Sequence, residues 1–188
     1  MKDFSLHLLD ILENSAKAGA SRVEVTLTPA GTWLTLEVSD NGPGLAPEIR
    51  VDPTDPFRTT RRDRNVGLGL ALLRAAAEQT AGRVEIRNGS HGGVQLRATV
   101  NLAHIDAKPL GDLPAAFTAA ILAWPNLDLV VSLGPDGREV LNTLEMKKEL
   151  DGVPVTHLAV QRFLQEQLNE GLRELMEWAG RVMAANGE

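Results

Sequence analysis

The apolar residues of this chain change their spacing several times, and this limits the folds that the chain can adopt. Residues 4–18 and 67–81 repeat apolar side chains every three to four positions, which predicts helices. Residues 22–39 and 83–102 alternate apolar and polar side chains, which predicts two hairpins of half-buried strands. Each helix and hairpin then has one apolar face to bury. We therefore expect an α+β fold: a two-layer α/β sandwich whose mostly antiparallel sheet is covered on one face by helices.

A cluster of glycine and proline near residues 109–114 marks a change in composition and predicts a boundary. Residues 1–104 are expected to form one domain, and residues 105–188 a small α/β appendage with a partner or oligomer surface. Residues 1–104 carry 12 Lys and Arg against 12 Asp and Glu, whereas residues 105–188 carry 7 against 13, so the net charge of -6 belongs to the second segment. Its elements are predicted to be a helix over 114–123, strands over 127–133 and 138–143, and helices near 145–150 and 156–184.

Several classes of protein are excluded or disfavoured by composition. The chain has no cysteine, which excludes disulfides and cysteine-held metal, and its four histidines lack the spacing of metal ligands. The balanced charge of residues 1–104 disfavours a nucleic-acid surface. No signal peptide and no apolar run of membrane-spanning length are present, so we expect a cytoplasmic protein without membrane contact.

Three polar residues share one face of the first predicted helix: Asp10, Asn14 and Lys17. An amide oxygen suits a hydrated magnesium ion, an ammonium suits phosphate, and a carboxylate can deprotonate water as a general base. The alternative is an ordinary solvated helix face, which the triplet alone favours.

Asp40 stands at the end of a predicted strand and is followed by Gly42 and Gly44. The carboxylate can accept a hydrogen bond from an exocyclic amine such as that of adenine, and the glycines let backbone approach a ligand. The alternative is an Asx turn.

A long polar segment follows, from Asp40 to Val66, and loops of this length are usually functional. It contains four arginines within residues 58–64, which can bind phosphate, and it ends where Gly67 and Gly69 open a helix whose N-terminus presents free N–H groups. The alternatives are a solvated loop and glycines that allow tight packing.

In this order and spacing, these blocks resemble the GHKL ATPase superfamily, which has the Bergerat fold and includes gyrase, the heat-shock chaperone, histidine kinases and MutL. The matching blocks are the N box, the first glycine box, the F box with the start of the ATP lid, and the second glycine box, at Leu9–Ala20, Ser39–Leu45, Pro56–Arg61 and Val66–Leu72.

The whole chain also resembles a family of small stand-alone ATP-binding proteins encoded near iron-only hydrogenase genes. The residues that carry this resemblance are Leu6-His7-Leu8, His104-Ile105-Asp106 and Pro109-Leu110-Gly111-Asp112.

The superfamily resemblance implies a role for each matching residue. Asn14 would hold magnesium, Asp40 would accept from the adenine amine, and Lys17 would contact phosphate. The remaining nucleotide-binding positions are two glycines beside the adenine, two lid residues and the backbone of the second glycine box, namely Gly42, Gly44, Thr60, Arg61, Gly67, Leu68, Gly69 and Leu70.

Two departures from the superfamily pattern bear on activity. Asp10 stands where ATPase members have the catalytic glutamate, and its side chain is one methylene shorter. The resemblance therefore supports nucleotide binding more strongly than hydrolysis. Residues 92–94, Gly-Gly-Val, lack the hydroxyl of the usual Gly-x-Thr or Ser. One phosphate or adenine contact is therefore missing or made through water.

These observations favour magnesium-dependent ATP binding with slow hydrolysis, in a nucleotide-dependent conformational switch that engages a protein partner or forms a homodimer. The alternatives are a protein kinase of the sensor or anti-sigma type that acts on a separate protein, and a module that binds nucleotide without catalysis. Whether the chain is an enzyme is therefore open at this point.

The last predicted helix has a stripe of glutamates and a stripe of large apolar residues. We interpret it as an amphipathic helix packed on its own domain, with the alternative of a coiled coil or a partner-binding helix. The two stripes are Glu166, Glu170, Glu174 and Glu177, and Leu164, Leu168, Leu172, Leu175 and Met176.

Overall fold

A computed structural model describes residues 2–45, 68–89 and 92–185. Every helix and strand predicted from the apolar spacing is confirmed, with ends that agree within two residues. The elements are, in chain order, α1 (Phe4–Lys17), β1 (Arg22–Ala30), β2 (Trp33–Asp40), α2 (Leu68–Gln79), β3 (Arg83–Asn88), β4 (Val94–Asn101), α3 (Leu113–Ala123), β5 (Asp128–Leu133), β6 (Arg138–Asn142), α4 (Thr143–Glu149) and α5 (Leu158–Ala184).

The six strands form one sheet in the order β3-β4-β2-β1-β5-β6. All neighbouring pairs are antiparallel except β1 and β5, which run parallel, so the prediction of a mostly antiparallel sheet is confirmed. The pairing of β1 with β5 means that the strands of the C-terminal segment extend the same sheet.

One face of this sheet carries the core. Val23, Val25 and Leu27 of β1 are at most 1% exposed, whereas the residues between them are only partly buried or exposed. On the helical side, α1 contacts both α2 and α3, and α3 contacts α5. The same apolar cluster includes residues from both segments, such as Leu8 and Phe117. The boundary at residue 104 stays a prediction.

Helix α1 is fixed at both ends by local interactions. Its N-cap residue, Asp3, accepts a hydrogen bond from the backbone N–H of Leu6. The N–H groups of Phe4 and Ser5, which have no partner within the helix, donate to the carbonyls of Pro109 and Leu110. The position of α1 over the sheet therefore depends on the segment that follows β4.

The interpretation of α5 as an amphipathic helix is confirmed, and its apolar stripe packs into the core. Leu164, Leu168, Leu172 and Leu175 are at most 2% exposed, and Met176 packs against the core. The four glutamates are exposed. Although α5 has 27 residues, no helix in the described ranges combines the length and apolar character that a bilayer crossing requires.

His7 on α1 is a buried titratable group. It is 2% exposed, and within the described ranges neither ring nitrogen has a hydrogen-bond partner. Burial is the main reason that its pKa is lowered from 6.5 to about 4, with smaller contributions from the charges of Lys108 and the N-terminus, against an opposing one from Asp3.

The buried histidine predicts a loss of stability in mild acid. In the unfolded chain His7 is protonated below its ordinary pKa of 6.5. In the folded chain it is protonated only below about pH 4, so acid favours the unfolded state. The free energy of unfolding of the native chain, minus that of His7→Leu, is therefore expected to fall by about 3 kcal/mol between pH 7 and pH 4. Urea denaturation across this range measures the difference, and a difference that does not vary with pH would contradict the assignment.

Candidate functional site

Asp10 and Asn14 lie one turn apart on α1 and contact each other, as their spacing predicts. The side-chain amide nitrogen of Asn14, Nδ2, donates to Oδ2 of Asp10 at 3.1 Å. Because the amide nitrogen is used in this way, Oδ1 is the atom of Asn14 that is left to act as a ligand.

Asp10 lies against the first turn of α2. A Cβ atom at Gly69 would overlap the carboxylate of Asp10, so only glycine permits this approach. Burial raises the pKa of Asp10, although the hydrogen bond from Asn14 and the charge of Lys17 oppose the rise. The structure therefore brings the carboxylate of Asp10, the amide of Asn14 and the N-terminal turn of α2 together.

Asp40, at the end of β2, is held by three donors from three parts of the chain. Its Oδ1 accepts from the backbone N–H of Gly42 at 2.9 Å and from that of Val94 at 3.1 Å. Its Oδ2 accepts from the hydroxyl of Ser15 at 2.9 Å. An ionised carboxylate has about four acceptor positions. Among the donors of the described residues, these three leave one position, on Oδ2, for a ligand.

The glycine-rich turn after Asp40 is anchored to the start of β1. The side-chain oxygen of Asn41 accepts from the backbone N–H groups of Ser21 and Arg22, both at 2.9 Å. Gly44 has a φ of 80°, which other residues rarely adopt. These contacts fix the path of the backbone beside the carboxylate.

The β3–β4 turn approaches the same carboxylate from the other side. A Cβ atom at Gly93 would overlap the backbone oxygen of Asp40. This close approach is what allows the next residue, Val94, to present its N–H group to Oδ1. The glycine at 93 therefore serves the position of Asp40.

Lys17 is placed at the exposed edge of the site. It forms an ion pair with Glu13, one turn earlier on α1, and its side chain remains 47% exposed. The phosphate contact expected of Lys17 stays a prediction.

Part of the predicted site lies outside the described residues. This holds for Thr60, Arg61 and Gly67, and for the basic loop around them. Leu70 lies in the first turn of α2 and packs partly buried against the core, while Leu68 begins that helix. Within the described ranges no group of three or more His, Cys, Asp or Glu side chains is arranged to hold a metal ion.

Comparison with known families identifies the family of the chain. The model of the family described as "Histidine kinase-, DNA gyrase B-, and HSP90-like ATPase" matches residues 3–104, which is more than half of the chain. The chain belongs to this ATPase family. This family is the GHKL superfamily that the sequence blocks resemble, so that resemblance is confirmed. Membership of the family is consistent with ATP binding.

Curated relatives of this GHKL chain include bacterial sensor proteins. It is 32% identical to the nitrogen regulation protein NtrY of Azorhizobium caulinodans over 54% of the chain and 14% of NtrY. It is 34% identical to the sensor histidine kinase CpxA of Escherichia coli K12 over 47% of the chain and 21% of CpxA. Among solved structures, the catalytic domain of histidine kinase ThkA matches with a TM-score of 0.43 at 22% identity, over 51% of this chain and 64% of that one. The match spans about a fifth or less of these curated relatives.

The sequence analysis did not identify Ser15, whose hydroxyl contacts the carboxylate of Asp40 in the candidate site of this GHKL chain. The N box predicts a role for the neighbouring Asn14, and the sequence pattern assigns none to the serine beside it. The available signal was the absence of a hydroxyl in residues 92–94, which raises the question of which other group hydrogen-bonds Asp40. The structure answers it with the Ser15 hydroxyl and the Val94 N–H.

Proposed function

We propose that this chain binds ATP in a magnesium-dependent manner, hydrolyses it slowly and acts as a nucleotide-dependent conformational switch. The observation that carries the proposal is the carboxylate of Asp40, which three protein donors hold with one acceptor position left. That position suits the exocyclic amine of adenine. Membership of an ATPase family supports the same conclusion.

The side chains present fit a magnesium ion that is bound together with nucleotide. Asn14 would hold it through Oδ1, since its amide nitrogen is engaged by Asp10. Magnesium retains several waters and needs few protein ligands, which agrees with the lack of an acidic cluster in the described part of the chain. When bound, the ion would neutralise charge on the phosphates.

Asp10 is the proposed general base. Its carboxylate lies beside the first turn of α2, the helix that the second glycine box opens. Only the ionised form accepts a proton, and burial raises its pKa. The hydrolysis rate is therefore expected to fall on acidification at a higher pH than it would for an ordinary aspartate.

Replacement of this base predicts a selective loss of hydrolysis. Asp10→Asn is expected to lower the rate of phosphate release about 100-fold or more, while ATP affinity changes by less than about threefold. Glu13→Gln is the matched control, because Glu13 is a partly exposed carboxylate on the same helix that pairs with Lys17. Phosphate release at the native rate by Asp10→Asn would show that another group, or none, acts as the base.

Two other functions remain as alternatives. A protein kinase acting on a separate protein is favoured by the similarity to CpxA, which is a sensor histidine kinase. A module that binds nucleotide without catalysis is favoured by Asp10 in place of glutamate. In both cases, as in the switch, the acidic segment 105–188 would face a protein partner or a second copy of the chain.

ATP labelled at the γ-phosphate separates these functions. Free labelled phosphate, released in proportion to protein, supports the hydrolysing switch. Label on a co-purified protein supports the kinase, and tight binding with neither product supports the binding module. Failure of the native chain to bind MgATP at all would reject all three.

A further inference from the structure

We propose that Ser15 is a positioning residue that fixes the carboxylate of Asp40 and so sets a preference for 6-aminopurine over 6-oxopurine nucleotides. The proposal rests on the proposed function, because it assigns the nucleotide specificity of the same site. It concerns a residue to which the proposed function assigns no part in magnesium binding or hydrolysis.

The contact has ordinary hydrogen-bond length and is partly buried. The hydroxyl of Ser15 donates to Oδ2 of Asp40 at 2.9 Å, and Ser15 is only 6% exposed. The two residues are 25 positions apart and lie on different elements, α1 and β2. A buried hydroxyl that bonds to a charged group at this distance holds that group in one orientation.

The other two donors to Asp40 bind a different carboxylate oxygen from the one that Ser15 binds. Gly42 and Val94 both donate to Oδ1 and fill that oxygen, so Ser15 is the one donor to Oδ2 in the part of the chain that the structure describes. With Ser15 present, Oδ2 has one acceptor position for an incoming N–H. Without it, Oδ2 has two open positions, and the site can take water or a second donor there.

This arrangement discriminates between purines by the group at position 6. The 6-amino group of adenine donates a single hydrogen bond to the open position. The 6-oxo group of guanine would instead set a carbonyl oxygen against a carboxylate oxygen, with no donor between them. A carboxylate freed from Ser15 can accept water between these oxygens, so the discrimination weakens.

Val94 offers a way to move the hydroxyl within the same site. In the pairing of β2 with β4, Ser39 is opposite Gln95, so Asp40 and Val94 are the next positions along and face the same side of the sheet. Thr differs from Val by a hydroxyl in place of a methyl group. Val94→Thr therefore places a hydroxyl beside Asp40 from β4 instead of α1.

The test compares MgATP and MgGTP affinities by isothermal titration calorimetry in the native chain, Ser15→Ala, Ser15→Cys and the double variant Ser15→Ala with Val94→Thr. Both single variants are expected to bind ATP about tenfold more weakly and to lose about tenfold of the preference for ATP over GTP. The double variant is expected to recover most of that preference. Thermal unfolding of each variant checks that the fold is intact.

The outcomes separate this proposal from the proposed function. A native chain that binds neither nucleotide rejects the proposed function, and the assignment to Ser15 falls with it. A native chain that prefers ATP, together with Ser15 variants that keep both affinity and preference, overturns the role of Ser15 alone. Weaker ATP binding with an unchanged ratio of ATP to GTP affinity also overturns it, because that result describes a purely structural serine.

Discussion

A fragment of residues 1–104 is expected to show no cooperative unfolding transition and no measurable ATP binding, although it contains the whole region that the family model matches. The reason is the shared sheet. Without β5, strand β1 becomes an edge, and its buried residues Val23, Val25 and Leu27 lose the strand that pairs with them in register.

The helical layer of the fragment would also lose stabilising contacts. Helix α1 would lose α3, whose Phe117 is fully buried, and the carbonyls of Pro109 and Leu110 that bind its first N–H groups. Each fully buried large apolar side chain contributes about 1.5–3 kcal/mol, and domains are stable by only about 5–15 kcal/mol in total. The free energy lost when several such residues become exposed therefore exceeds the free energy of unfolding of a domain of this size.

Circular dichroism during heating measures the transition, and calorimetric titration measures ATP binding. The matched control is the full chain with a protease site inserted at Asp106, in a segment where Ile105 is 89% exposed. The cut chain is expected to remain associated and folded, because the strand pairing of β1 with β5 and the contacts of α1 with α3 are kept. A fragment 1–104 that melts cooperatively and binds ATP like the full chain would show that residues 105–188 are dispensable for the core.

Asp40→Asn is expected to weaken ATP binding about 100-fold or more. Asparagine keeps the shape of the side chain but replaces one oxygen with an NH₂ group. That group must face either the N–H groups of Gly42 and Val94 or the hydroxyl of Ser15 and the adenine amine, so a donor meets a donor in each orientation. A lost charged hydrogen bond and an unsatisfied buried donor each cost about 1–3 kcal/mol.

Calorimetric titration with MgATP measures this loss of affinity. Asp106→Asn serves as the control, since the side chain of Asp106 is 63% exposed in the segment after β4. The melting temperature of each variant shows whether weaker binding reflects the site or the fold. An Asp40→Asn chain that binds ATP like the native protein would remove the adenine assignment.

The local structure could be predicted from the sequence because it depends on neighbouring residues. The periods of 3.6 and 2 gave the ends of every helix and strand within two residues. The Asp10–Asn14 contact also followed from their spacing on one helix. In each case the interacting groups lie within one element, so no knowledge of the tertiary arrangement was needed.

The non-local features were harder to predict. Apolar alternation in residues 127–133 predicts a strand but not which strand it pairs with, so the parallel pairing of β5 with β1 was not foreseen. The bond from Ser15 to Asp40 likewise joins residues 25 positions apart. Both depend on how α1 and the sheet meet, and the apolar pattern does not specify that geometry.

The parallel pairing of β1 with β5 has a consequence for biosynthesis. Arg22 pairs with Asp128 and Leu27 with Leu133, partners more than 100 residues apart. Contacts over such distances slow folding, since a long segment must be ordered before they form. During synthesis on the ribosome, one edge of β1 has no strand to pair with until β5 has been synthesised. Asp40 lies on β2, the strand next to β1, so the proposed adenine site is expected to assemble late in synthesis of the chain.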